Sequence, residues 1–169
     1  MLILGNIIAL IASILMVYSG LIKNKKKILL IQTTQISLSV VSNIVLGGIT
    51  GAIINTISLI RNIICYKDKL ETIEKIIITI LSITLSLIFN NLGLIGLLPV
   101  ISTVTYVWLM NEKDIVKFKF LIIFTMLLWG VYDLTIKSYT SSVFDFMTVL
   151  TNIISIYKIN KKLKIKEIN

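Results

Sequence analysis

The sequence predicts an all-α membrane protein of seven transmembrane helices in a 3+1+3 arrangement, two parallel three-helix-bundle repeats joined by one further helix. Three observations predict it. The 169 residues are 56% hydrophobic and 15% charged, with one Pro and a mean hydropathy of +0.96, whereas a soluble domain is about half apolar and a quarter charged. The connections between apolar runs alternate between strongly basic and nearly uncharged. The chain also matches itself at an offset of 90 residues.

Each span must cover about 30 Å of hydrocarbon at 1.5 Å per residue, which sets the run length to look for. Helix 1 is expected over 2–22 and, lacking a basic leader and a small-residue cleavage pattern, is read as retained rather than as a signal peptide. Helix 2 is expected over 28–46, after the basic run 23–27. Gly47, Gly48 and Gly51 make the tight turn into helix 3, over 50–66. Helix 4, over 73–91, carries Thr79, Ser82, Thr84 and Ser86 and suits a linker. Helix 5, over 94–110, contains Pro99, expected to kink it, and Trp108, expected in the interfacial belt. Helix 6 is expected over 118–136 and helix 7 over 141–158, before a basic tail. The chain thus divides into a first bundle (1–67), a linker helix (68–91) and a second bundle with its tail (92–169).

Fifteen of the 17 Lys and Arg residues fall in the connections 23–27, 67–75 and 111–119 and in the tail from Lys158. The positive-inside rule puts these in the cytoplasm, with the N-terminus outside and the C-terminus inside. Only Lys137 lies on the outer side, and Arg61, near the cytoplasmic end of helix 3, is expected to snorkel to the interface. The net charge of +9 therefore reports topology, and because no single face collects it, nucleic acid is excluded as a partner. With no His and only Cys65 there is no zinc finger, disulfide framework or histidine acid/base chemistry. No nucleophile-base pair, metal site or cofactor site can be assembled, so no enzyme is expected.

The 90-residue offset aligns helices 1–3 with helices 5–7 without a gap. Twelve identities accompany it, including Lys23/Lys113, Val41/Val131, Thr50/Thr140 and Asn62/Asn152. Roughly half are expected by chance in a chain this rich in Ile and Leu. The polar coincidences weigh more: Asn43 falls on Asp133, Asn55 on Asp145 and Ser58 on Thr148. Helix 4 returns the chain across the bilayer, so the second triplet starts on the same side as the first.

Asn55, Ser58, Asn62 and Cys65 follow one face of helix 3, and Asp145, Thr148, Asn152 and Ser155 follow the matching face of helix 7. Helix 2 adds Gln32, Gln35, Ser39 and Ser42 with Asn43 alongside, helix 6 adds Thr125, Trp129, Tyr132 and Asp133, and Tyr106 on helix 5 divides between interfacial belt and cavity lining. The substrate-binding candidates are Asn62, Asn152, Asn55, Asp145 and Asn43, with Trp129 or Tyr132 stacking on a small polar solute. The competing reading is that these groups only hold the helices together, at about 0.6 kcal/mol each. Asp145 is the sharpest residue, because an intramembrane carboxylate is costly unless paired, hydrated or protonated.

The runs Leu97-Leu98-Pro99-Val100-Ile101, Trp129 with Tyr132-Asp133, Leu150-Thr151-Asn152-Ile153-Ile154, and Gly51-Ala52-Ile53-Ile54-Asn55 with Ile60-Arg61-Asn62 resemble the YgjV family of bacterial inner-membrane proteins over nearly the whole chain. The 3+1+3 plan is similar to that of the SWEET and PnuC-like transporter superfamily, two three-helix bundles around a central substrate path. That resemblance implies that Asn62 and Asn152, matching the third-helix asparagines that face the sugar in SWEET proteins, contact solute. The chain has Pro99 alone and lacks the Pro-Gln hinge pair common in SWEET-like proteins.

The expected function is SWEET-like transport of a small polar solute (sugar, nucleoside or vitamin-like) across the bacterial cytoplasmic membrane, with Asp145 as the candidate proton carrier. The alternative is a non-transporting integral membrane protein acting through partner or lipid binding, its basic tail engaging anionic headgroups. The lipid bilayer is a partner on either reading, and association with a second copy of the chain is left open.

Overall fold

The computed structural model describes residues 2–67, 70–90 and 92–168, with the side chains of Leu2 and of residues 162–168 left out. Lys69 of the connection 67–75, Asn91 at the expected end of helix 4, and the side chains of Lys162, Lys164 and Lys166 in the basic tail lie outside the described set.

The described residues form seven α-helices: α1 (Leu2–Leu21), α2 (Lys25–Leu46), α3 (Ile49–Lys67), α4 (Thr72–Phe89), α5 (Leu98–Leu109, after a 3-10 turn at Ile95–Leu97), α6 (Ile115–Thr135) and α7 (Tyr139–Ile168). All but the fifth are long and apolar enough to cross a membrane, and the fifth apolar segment spans Ile95–Leu109. At 1.5 Å per residue those 15 residues reach only about 22 Å.

The ends of α2 and α6 show why the helices start and stop where they do. Asn24 caps α2 by accepting from Lys27 N–H at 3.1 Å, and Asp114 caps α6 by accepting from Val116 and Lys117 N–H at 2.8 and 3.4 Å. At the other end Gly47 takes the left-handed conformation (φ 79°), and Gly48 N–H closes on Asn43 O at 2.8 Å. Lys137 does the same after α6 (φ 60°), with Ser138 N–H on Asp133 O at 2.9 Å. Both ends of α6 thus repeat those of α2, and the starts of α2 and α6, like those of α3 and α7, lie 90 residues apart. α4 begins with the Glu74 carboxylate accepting from Glu71 N–H at 2.9 Å.

Consecutive helices pack side by side and α1 closes on α7, so the bundle is a ring, with α4 set between α3 and α5. At one end the basic connections meet: Lys25 Nζ donates to Met110 O and to Glu112 O, and Asn111 Nδ2 donates to Leu70 O at 2.7 Å. The short turns meet at the other end, where Thr50 Oγ1 donates to Phe89 O and Gly48 faces Ile136. Among the described residues, 22 polar or charged side chains are buried beside 22 apolar ones, while Ile, Leu and Phe side chains cover the outside of every helix. A water-soluble core would be almost wholly apolar. This inverted distribution suits a hydrocarbon surround, where polar side chains turn inward.

Three expectations are corrected. Pro99 does not kink a helix; it sits in the first turn of α5, where its missing N–H has no partner to lose. Arg61 does not snorkel: it is 4% exposed, held inward by Asn62 and the ring of Tyr106. Lys119 does not belong to the basic connection. α6 starts at Ile115, which places Lys119 one turn inside the helix and fully buried.

Candidate functional site

The ring encloses a cavity of about 80 Å3, enough for several waters or a solute of few heavy atoms. Its wall sets polar groups along its whole length beside the apolar Ala9, Met16, Ile36 and Met126. α2 contributes Gln32, Gln35, Ser39 and Asn43, while α3 contributes Asn55, Ser58 and Arg61. From the other half come Ser102, Thr103 and Tyr106 on α5, Trp129 and Asp133 on α6, and Ser141 and Asp145 on α7.

Toward the basic end the floor is a connected network. Tyr106 Oη donates to Gln32 Oε1 at 2.8 Å, and the Arg61 guanidinium lies 4.3 Å from the centroid of the Tyr106 ring. Arg61 Nε and Nη2 both donate to Asn62 Oδ1, at 3.1 and 2.9 Å. Ser58 and Thr103 meet at 3.4 Å across α3 and α5, and Gln35 Nε2 donates to Ser39 Oγ at 2.9 Å. Toward the other end Asp133, in the last turn of α6, and Asp145, in the second turn of α7, bring two carboxyl groups to the same wall. Two carboxylates in one wall screened from water are costly unless hydrated, paired or protonated. Asp145 Oδ2 has no protein partner.

Of the seven candidates, Asn43, Asn55, Asp145 and Trp129 line the cavity, and Asn62, Asn152 and Tyr132 do not. The two asparagines are fully buried and turned aside by cations. Asn62 Oδ1 is taken by Arg61, while Asn152 Oδ1 accepts from Lys119 Nζ at 3.3 Å and Asn152 Nδ2 donates to Thr148 O at 2.8 Å. Lys119 Nζ also donates to Gly20 O at 2.7 Å, in the last turn of α1, where a cation meets the unsatisfied carbonyls of a helix end. Tyr132 stands behind Trp129, its ring at 5.6 Å and near-perpendicular, and fixes the face the indole turns to the cavity.

Sequence reasoning placed Gln32 in the lining and left Tyr106 between interfacial belt and cavity, but it missed Arg61 as a lining residue and Lys119 as an internal cation. Arg61 sits one turn before the helix end, as a snorkelling residue does, and only the three-dimensional position of Tyr106 distinguishes the two. The signal for Lys119 was present: Asp114 is a helix cap, and recognising it moves the start of α6 back to Ile115.

The lining also carries an internal regularity. Of its 21 residues, 14 form seven pairs separated by 90 positions, among them Asn43/Asp133, Asn55/Asp145, Ser39/Trp129 and Met16/Tyr106. A random scatter over the same helices gives roughly two such pairs.

A family model described as Imp-YgjV, bacterial inner membrane protein, matches residues 3–163. The chain belongs to the Imp-YgjV family. No curated protein and no solved structure matches it. Membership and the apolar helices together make it a multi-pass protein of the bacterial inner membrane, in contact with the lipid bilayer. In an Imp-YgjV protein the polar interior is therefore buried from lipid as well as from water, and each unpaired group in it is expensive.

Proposed function

We propose that this Imp-YgjV protein is a transporter rather than an enzyme, and that it moves a small polar solute through the central cavity between two parallel three-helix repeats, α1–α3 and α5–α7. The observation that carries the reading is the pairing of the lining: seven pairs at one offset are what an axis along the membrane normal, passing through the cavity, produces. The matched caps and left-handed turns of α2 and α6 support the same repeat. A cavity on such an axis lies where two halves can rock against each other, as in SWEET-like transporters. Asn43, Asn55, Asp145 and Trp129 contact the solute, and Asp145 is the proton carrier in any coupling. The basic connections face the cytoplasm, so the N-terminus is outside and the C-terminus inside.

The test is thermal unfolding of the detergent-purified protein against sugars, nucleosides, vitamins and amino acids, with Asn55→Ala and Trp129→Ala alongside. A compound that binds the folded state at a hundredfold excess over its Kd adds about 2.7 kcal/mol. A compound that stabilises the parent, loses its effect in both variants and then exchanges across proteoliposomes supports the reading. Binding without exchange overturns transport.

A second reading, action through anionic lipid, draws on one observation: α7 stays helical to Ile168 and carries Lys158 and Lys161 into a lysine-rich end. Deleting the lysines beyond Lys158 separates the two readings, because exchange depends on the cavity and lipid binding on the tail.

A further inference from the structure

We propose that Arg61 is the anchor for a carboxylate, so that the cavity takes a small monocarboxylate whose other end bears a hydrogen-bond donor. The inference rests on the transport reading above and narrows its solute class.

Arg61 lines the cavity at 4% exposure, and the carboxylates among the described lining residues, Asp133 and Asp145, lie at its other end. Asn62 Oδ1 takes two of its N–H groups and the Tyr106 ring takes one face. A guanidinium has five N–H donors, so three remain. Among the described residues its hydrogen-bond and ring partners are Asn62 and Tyr106, and neither is a carboxylate. Beside it Asn62 Nδ2, fully buried, has no partner. Asn62 stands behind the lining and orients the guanidinium, so the buried cation at one end of the cavity is itself the anion site.

The class of anion follows from the rest of the wall. A planar guanidinium fork matches the two oxygens of a carboxylate. One cation suits one negative charge, whereas a phosphate dianion draws several. At the opposite end Asp133 and Asp145 disfavour a second negative charge and accept from a hydroxyl or ammonium group, with Asp145 Oδ2 unpartnered. Arg61 lies six residues beyond Asn55 on α3, about 9 Å along the helix, so head and tail of a short solute reach different chemistry.

The full-length protein in detergent is titrated with glycolate and 4-aminobutyrate, and with erythritol, ethylamine and inorganic phosphate as comparators, while thermal unfolding is followed in the parent, Arg61→Gln and Arg61→Lys. The expected result is a saturable rise in melting temperature with at least one carboxylate. Its half-maximal concentration rises at least tenfold in Arg61→Gln and by less in Arg61→Lys, which keeps the charge without the fork. If Arg61→Gln does not fold, weakened carboxylate binding in Arg61→Lys supports the proposal and unchanged binding overturns it. Equal carboxylate responses in parent and Arg61→Gln overturn it, as does a response to phosphate alone. A response to erythritol alone overturns the carboxylate while leaving the solute path standing. No response to any probe overturns the carboxylate, and the exchange assay then decides the path by itself.

Discussion

Lys119 ties three helices at one point: its ammonium on α6 donates to Gly20 O on α1 and to Asn152 Oδ1 on α7. Gly20 is what lets α1 come that close. A Cβ added there meets Thr151 Oγ1, and also Asn152 Nδ2 at 2.8 Å, against side chains already engaged in hydrogen bonds. Lys119→Met leaves two buried acceptors short of a donor and is expected to lower stability by about 1–2 kcal/mol. Gly20→Ala is expected to cost about 2 kcal/mol through overpacking. Because both act on the Asn152 side chain, the double variant should lose less than the sum, a coupling that a double-mutant cycle by chemical unfolding in detergent measures. Additive losses would mean that the lysine and the glycine act independently.

At the scale of elements, the two turns after α2 and α6 make a natural comparison. Both place their pivotal residue in the left-handed region, yet one is Gly47 and the other Lys137. A side chain there costs about 1–2 kcal/mol, so Lys137→Gly should raise the melting temperature, by about 1 kcal/mol of stability, whereas Gly47→Lys should lower it by a similar amount. Thermal unfolding of both variants decides this. The same elements explain what could be read from the chain beforehand. Helices 1 to 4 and 7 were legible because about 18 apolar residues between charged or glycine-rich breaks leave little choice in a bilayer. The start of α6 was misjudged because apolar content was weighed above the Asp114 cap, and that one error hid Lys119. Within the stripes, the sequence gives which face a residue lies on but not which neighbour claims it. Asn55 and Asn62 share a stripe on α3, and only the latter is captured by the adjacent Arg61.

For the molecule as a whole, the proposed orientation has a direct check. With Cys65 replaced by Ser, a single Cys at Lys137 should react with a membrane-impermeant maleimide on intact cells, and a single Cys at Lys113 only after permeabilisation. The reverse pattern would invert the topology and place the Asp133–Asp145 end of the cavity in the cytoplasm. The shortness of the fifth apolar segment bears on the surround as well. Its reach of about 22 Å, against about 30 Å of hydrocarbon, leaves Ile101, Trp108 and Leu109 exposed on a helix that cannot cover the slab beside it. The lipid there must thin, at a fraction of a kcal/mol per Å. Short-chain bilayers lessen that mismatch at α5, and long-chain bilayers concentrate it on the one helix that joins the linker α4 to the second half of the ring.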